Sequence, residues 1–163
     1  MKLILSFFPI IIYLIFFIDL GYSASSGPVF GKNGMVVSTS KQASEAGIKI
    51  LKKGGNAVDA AVAVGFALAV TSSSNGNIGG GGFMVYTTSD GESFTLDFRE
   101  KAPVIAHRDL FIDDSGKVIP GMSLYSRSAS GVPGTVDGLT RALDDHGSGE
   151  ITLLQALLPA IRL

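Results

Sequence analysis

Arg99 is the residue of this sequence whose type and position best fit binding chemistry. It follows a strand-like run and is flanked by two acids, Asp97 and Glu100. A guanidinium presents a planar fork of N–H donors that can bind a carboxylate through two parallel hydrogen bonds, a geometry that lysine does not reproduce. From composition alone, an arginine beside two acids is more often part of a structural ion pair. Both interpretations of Arg99 are therefore open at this point.

Other reactive side chains form no catalytic or metal-binding pattern. His107 and His146 are far apart and lack helical metal-ligand spacing, so each is expected to be a surface or packing residue. The adjacent acids Asp113-Asp114 and Asp144-Asp145 occur in turn-like contexts, where a solvated role is typical. The sequence has no Cys and no Gly-x-Ser-x-Gly elbow, which leaves a cysteine or serine hydrolase without support. We expect neither a metal nor a cofactor.

Length and charge narrow the classes of function. The 163 residues suggest one domain at most. Thirteen basic and 14 acidic residues give a net charge of -1. Because no excess of basic residues marks a surface for nucleic acid or anionic lipid, neither is expected as a partner.

The amino terminus has the pattern of a secretory leader. Lys2 precedes an apolar run, and small residues at Gly21 and Ser23 suit cleavage after Ser23, so residues 1–23 are predicted to be a signal peptide. The alternative is an uncleaved anchor, because the apolar run is near the lower length limit for a membrane span. The expected location is periplasmic or secreted, or membrane-anchored and extracytoplasmic in the alternative. Residues 24–34, rich in Ser and Gly, are predicted to be a mobile lead-in.

Two consecutive helices are predicted to follow a short strand at Met35-Val36-Val37. A capping box at Thr39-Ser40-Lys41-Gln42 opens the first helix, which Gly54-Gly55 closes. Asn56 and Asp59 mark the start of the second helix at Ala57. Since no charge follows Asp59 until Asp90, this second helix is expected to be buried on every side.

A glycine run and a hairpin come next. Gly79–Gly82 carries a large entropy cost on ordering, which predicts either a backbone conformation closed to other residues or close approach of another segment or of a ligand. A tight connection packed against a neighbouring strand is favoured over a phosphate loop, because the Lys-Ser/Thr of such a loop is missing. Phe83–Thr88 and Ser93–Phe98 are predicted to pair as a hairpin.

The last third is predicted to contain a polar loop and two helices. Ser123–Ser130 is the loop. The first helix carries Val136, Leu139 and Leu143 on one face and ends before Gly147. The run from Thr152 to Leu163 opens with a capping box and is almost wholly apolar, so it requires cover on more than one side.

Four segments, in this order, closely resemble the start of γ-glutamyltranspeptidases. They are Gly-Gly-Asn-Ala-Val-Asp-Ala-Ala-Val-Ala at 54–63, Gly-Gly-Gly-Gly-Phe-Met at 79–84, Asp-Phe-Arg-Glu-Lys-Ala-Pro at 97–103 and Gly-Val-Pro-Gly-Thr-Val at 131–136. Four ordered motifs are far more specific than any single one, and the match extends from about Gly34 to Leu163.

The resemblance implies an α+β fold: the N-terminal part of an αββα N-terminal-nucleophile hydrolase sandwich, with a central buried helix and a β-hairpin. Residues 35–163 would be the front of the large subunit, ending before the catalytic small subunit of the same precursor. The family transfers the γ-glutamyl group of glutathione and other γ-glutamyl compounds to water, amino acids or peptides.

For the site, the resemblance implies that Arg99 binds the substrate α-carboxylate and that Glu100 helps to hold it. The family's nucleophile is a Thr freed by self-cleavage at a Thr-Thr-His pattern, and its own α-amine activates its hydroxyl. The 163 residues contain no such pattern, since Thr87-Thr88-Ser89 lacks the His. The chain alone is therefore expected to lack both the nucleophile and activity.

Two other functions fit the same residues. The scaffold could serve as a secreted, non-catalytic module that binds a carboxylate or a partner protein. It could also belong to a related poly-γ-glutamate-processing enzyme or acylase, because residues outside this front region determine which acceptor is used. Cooperative folding of residues 24–163 as a monomer would favour the module over the enzyme segment.

Overall fold

The computed structural model describes residues 27–75 and 77–163. The chain divides into two units, Met1–Lys32 and Asn33–Leu163. In the first unit, residues 27–32 form neither helix nor strand and are exposed. The predicted signal peptide at 1–23 lies outside the described residues and stays a prediction. Across the described ranges, no helix is both long enough and apolar enough to span a membrane.

Helix α1 (Lys41–Lys52) begins one residue later than the capping-box pattern indicates. Its N-cap is Ser40, whose side chain accepts a hydrogen bond from the backbone N–H of Ala43. The reciprocal box predicted from Thr39 and Gln42 is therefore wrong. Its end is as predicted: Gly54, at φ 92°, donates to Leu51 O and Gly55 donates to Ile50 O. These two bonds form a Schellman motif.

Helix α2 (Ala57–Thr71) is the central element of the second unit. Asn56 accepts from the N–H groups of Val58 and Asp59, and the Asp59 carboxylate accepts from the N–H of Asn56, which completes a capping box. The helix packs against α1 and against the two helices near the carboxyl end of the chain. Its buried apolar residues are Val58, Ala60, Val62, Ala63, Phe66 and Ala67.

Burial of α2 on every side was predicted, and the structure corrects this. Ala57 and Ala61 are exposed and Val64 and Leu68 are half-buried, so one face of the helix opens into a groove of about 740 Å³. The uniform apolar composition predicts cover all round, but the described residues place no segment over this face.

The predicted hairpin is confirmed, with each strand one residue shorter than expected. Strand β1 (Phe83–Thr87) pairs antiparallel with β2 (Ser93–Asp97), with Phe83 opposite Asp97. Met84, Tyr86 and Leu96 pack against the core. Because side chains alternate along a strand, Phe83 and Val85 face outward, at 64% and 75% exposed.

Two other sequence-based expectations differ from the structure. Residues 35–37 form no strand, and within the described ranges no neighbour pairs with their backbone. The predicted loop at Ser123–Ser130 is occupied largely by helix α3 (Met122–Tyr125), which begins one residue before it, and by a 3-10 turn (Arg127–Ala129). Local i to i+3 and i to i+4 backbone bonds form there without an apolar period that could reveal them.

Helix α4 (Thr135–His146) ends before Gly147, as predicted. Its buried face contains Leu139, Ala142 and Leu143, whereas Val136 is 48% exposed and was wrongly placed on this face. Helix α5 (Leu153–Ile161) has the predicted capping box between Thr152 and Gln155. Of this helix only Ala156 is fully buried, and Leu154 is 62% exposed. The described part of the chain therefore leaves much of the apolar surface of α5 uncovered.

Candidate functional site

Arg99 lies where the chain leaves the hairpin. The N–H of Phe98 still donates to Gly82 O at 3.0 Å, which extends the ladder one residue beyond β2. The Asp97 carboxylate then accepts the backbone N–H of Arg99 at 3.0 Å. Asp97 therefore fixes the main chain at this point through the backbone of Arg99.

The Arg99 side chain is 70% exposed. Its Nε is 3.9 Å from Oε2 of Glu100, which is itself 40% exposed. An exposed ion pair of this length contributes little stability. The structural ion-pair interpretation of Arg99 is thus weakly supported, and its guanidinium is accessible to a ligand.

Arg99 borders a polar cleft of about 360 Å³ between β2 and α4. The cleft is lined on the hairpin side by Leu96, Asp97 and Phe98, and on the other side by residues that include Pro133, Asp137 and Arg141. A cleft of this size suits a small polar molecule.

Two of the four sequence motifs line this cleft, and a third is hydrogen-bonded to them. Lys101 and Val132 exchange backbone hydrogen bonds of 3.2 and 2.8 Å, which joins segment 97–103 to segment 131–136. Gly80 O accepts from the N–H groups of Gly134 and Thr135 at 2.9 and 3.1 Å, which joins segment 79–84 to the same loop. The main chain around Arg99 is therefore held by an earlier segment of the chain, 79–84, and by a later one, 131–136.

The comparisons with known proteins assign the family. The family model described as Gamma-glutamyltranspeptidase matches residues 43–163. The chain belongs to this family. It is 52% identical over 136 residues to the glutathione hydrolase proenzyme of Escherichia coli, an alignment that covers 83% of this chain and 23% of that protein.

Solved structures agree with the γ-glutamyltranspeptidase assignment. The γ-glutamyltranspeptidase of Helicobacter pylori superimposes with a TM-score of 0.76 at 48% identity, covering 84% of this chain and 39% of that one. A cephalosporin acylase from Bacillus halodurans superimposes with a TM-score of 0.69 at 29% identity, covering 90% and 27%. The chain spans about a quarter of the length of the curated relatives that it matches.

Three charged residues at the cleft of this γ-glutamyltranspeptidase-family chain were not predicted as site residues from the sequence: Lys101, Asp137 and Arg141. Asp137 and Arg141 lie four residues apart on α4, a spacing that places them on one helix face. That spacing is visible in the sequence, but the position of α4 beside β2, which brings these exposed side chains to the cleft, is not. Arg141 also contacts Asp145, with Nε 3.3 Å from Oδ2.

The histidines and acid pairs do not join Arg99. His146 packs against the hairpin, with its ring centroid 4.8 Å from that of Phe94, and Nδ1 of exposed His107 accepts the backbone N–H of Asp109. The Asp113 carboxylate accepts hydrogen bonds from the Ser115 hydroxyl and the Lys117 N–H, which lowers the pKa of Asp113. Within the described ranges, no three His, Asp or Glu side chains converge as metal ligands.

The groove over α2 differs chemically from the cleft. Its lining includes Ala61, Val64 and Leu68 from the helix and Phe83 and Val85 from β1, and it contains no charged side chain. An apolar groove without charges suits packing by another protein segment better than binding of a polar substrate. Binding of a polar substrate is therefore expected at the cleft beside Arg99.

Proposed function

We propose that this chain is the front segment of a γ-glutamyltransferase that acts as a glutathione hydrolase, and that its Arg99 binds the α-carboxylate of the γ-glutamyl substrate. The observation that carries this proposal is an accessible guanidinium beside a polar cleft, on a main chain held by two other family motifs. In the proposed enzyme, the γ-glutamyl group passes through a Thr-bound acyl intermediate to water, an amino acid or a peptide.

The guanidinium suits this role because its donors form a fixed plane. A carboxylate in the cleft would accept two parallel N–H bonds, which fixes both the position and the rotation of the substrate. Glu100 would hold the guanidinium through its contact with Nε and leave the terminal nitrogens for the substrate. Lysine at this position would offer a point charge without orientation.

The nucleophile and the small subunit would come from the rest of the precursor. No Thr-Thr-His pattern occurs in the 163 residues. The apolar groove over α2 supports a partner of this kind, because remaining layers of an αββα sandwich would cover it. The leader pattern at 1–23 supports a periplasmic or secreted location.

A chimera tests the proposed role of Arg99. The unit Asn33–Leu163 would replace the aligned segment of the Escherichia coli proenzyme, which is 52% identical. We expect this chimera to process itself and to hydrolyse a chromogenic γ-glutamyl anilide, whereas the purified 163-residue chain should not. Arg99→Lys should raise KM by about tenfold or more, the value of a lost charge-assisted hydrogen bond.

Arg108→Lys provides a matched control. Arg108 is also exposed, and its Nε also lies 3.9 Å from the carboxylate of the next residue, Asp109. The control should leave KM unchanged. Equal KM values for the two variants would remove Arg99 from the binding site, and turnover by the isolated chain would contradict the missing nucleophile.

An acylase is the second candidate function. The similarity to the cephalosporin acylase at 29% identity favours it, since the same front segment could serve a different acyl donor. Comparison of γ-glutamyl and cephalosporin substrates on the complete enzyme separates the two. Preference for a donor without an α-carboxylate would favour the acylase.

A further inference from the structure

Two glycines from separate segments touch the main chain of Arg99. At Gly81, an added Cβ would lie 2.6 Å from Phe98 O, 2.7 Å from Glu100 N and 2.8 Å from Arg99 Cα. Real Cβ atoms essentially never approach other atoms within 3.0 Å. Of the explanations predicted for the glycine run, close approach of another segment is thus confirmed at Gly81, and the approaching segment carries Arg99.

The second contact comes from the loop before α4. An added Cβ at Gly134 would lie 2.0 Å from Phe98 O and 3.3 Å from Arg99 O. Both glycines face main-chain atoms, which cannot move aside by a change of rotamer. A methyl group at either position would therefore displace the backbone that carries the guanidinium.

Hydrogen bonds hold these segments together. Gly134 N–H donates to Gly80 O, one residue before Gly81, so the two glycine segments are joined to each other as well as to the strand end. The Arg99 side chain, in contrast, is largely exposed. Although this side chain is flexible, its length is fixed, so the position of the Arg99 Cα limits which part of the cleft the guanidinium can reach.

We propose that Gly81 and Gly134 are positioning residues for substrate binding: by allowing the main chains to touch, they set the Arg99 Cα at the depth from which its guanidinium meets the α-carboxylate. This inference rests on the proposed role of Arg99. It gives Gly81, within the glycine run, a function in substrate selection beyond a compact turn.

The test uses the Asn33–Leu163 chimera with Gly81→Ala and Gly134→Ala. Each should raise KM for the γ-glutamyl anilide by about tenfold to a hundredfold, the range for a misplaced binding group, while kcat per processed enzyme changes by less than about threefold. Gly79→Ala is the matched control, because its methyl would meet only the end of the Asn77 side chain, at 3.2 Å. This control should retain the parent KM.

A double-mutant cycle separates positioning from general destabilisation. If the glycines act through Arg99, then Gly81→Ala or Gly134→Ala should add little to the KM of Arg99→Lys. Full additivity would overturn the proposal and leave the glycines a purely structural role. An unchanged KM in Arg99→Lys itself would instead refute the proposed function.

A milder variant covers the case in which the alanine proteins fail to fold. Gly131→Ala would place its methyl 3.1 Å from Glu100 Cβ, a contact that a small shift can relieve. It should fold, raise KM by a few-fold and also be non-additive with Arg99→Lys. A parent-like KM in folded Gly131→Ala, together with misfolding of the other two variants, would overturn the positioning role.

Discussion

Among single residues, the charged side chains of Arg99 and Asp59 lie in opposite environments. The first is available for binding, and the second contributes to stability. Arg99 is exposed, with a weak ion pair, and remains accessible to a ligand. Asp59 is 0% exposed and accepts backbone hydrogen bonds from Asn56 at 2.7 Å and from Ser148 at 3.1 Å. Its charge also lies in the first turn of α2, where the helix dipole stabilises an anion. Asp59 therefore joins α2 to the loop after α4.

Asp59→Ala should destabilise the folded unit by about 1–3 kcal/mol, because buried N–H donors lose their acceptor. The Asn33–Leu163 chimera should melt at a lower temperature. Exposed Asp144 supplies the control substitution, Asp144→Ala. Identical melting temperatures for the two variants would show that the buried carboxylate contributes nothing to stability.

At the scale of elements, the turn at Asp113–Lys117 is held by one carboxylate. Since hydrogen bonds from Ser115 and Lys117 lower the pKa of Asp113, its ionised form stabilises the folded turn. This contribution is complete above the ordinary aspartate pKa of about 3.9 and is lost as the pH falls through the lowered value.

In an NMR titration of the chimera, the Asp113 carboxyl should titrate below an ordinary aspartate, and the Lys117 amide signal should move with it. Asp113→Asn should abolish that movement of the amide signal. Titration of Asp113 in the ordinary range would contradict the hydrogen-bonded turn.

Two of the three predicted helix caps and the strand alternation were readable from sequence because they are local. Asn56 and Thr152 marked helix starts, and the run after Gly82 marked the hairpin. The predicted strand at 35–37 was wrong because a strand depends on a partner that local sequence does not contain. Val136 was misplaced for a similar reason: the apolar period of α4 does not reveal which neighbours the helix meets.

The candidate site was partly predictable. The Phe-Arg-Glu motif identified Arg99, but Lys101, Asp137 and Arg141 reach the cleft through tertiary contacts that the sequence does not display. The glycine run predicted a close approach without revealing that Arg99 is the residue approached.

At the scale of the whole molecule, this chain provides a cleft and an open apolar groove. One face of α2, the outer side of β1 and residues 33–37 border that groove. Our proposal assigns its cover to the remaining layers of the enzyme. A charge on this face should then be tolerated by the chain alone and block formation of the complete enzyme.

Ala61→Glu tests that expectation, since Ala61 is exposed in this structure and borders the groove. The substitution should strongly reduce self-processing of the chimera and leave the circular dichroism spectrum of the 163-residue chain unchanged. Gln42→Glu adds the same charge at an exposed position of α1 and should process normally. Normal processing of Ala61→Glu would contradict a covered groove.

Two inhibitors that differ by the α-carboxylate test the binding role of Arg99. Glutamate has this group, and 4-aminobutyrate keeps the amine and the chain without it. The parent chimera should bind glutamate more tightly, and Arg99→Ala should reduce that preference by about tenfold or more. An unchanged ratio of the two inhibition constants in Arg99→Ala would contradict the central claim that Arg99 binds the α-carboxylate.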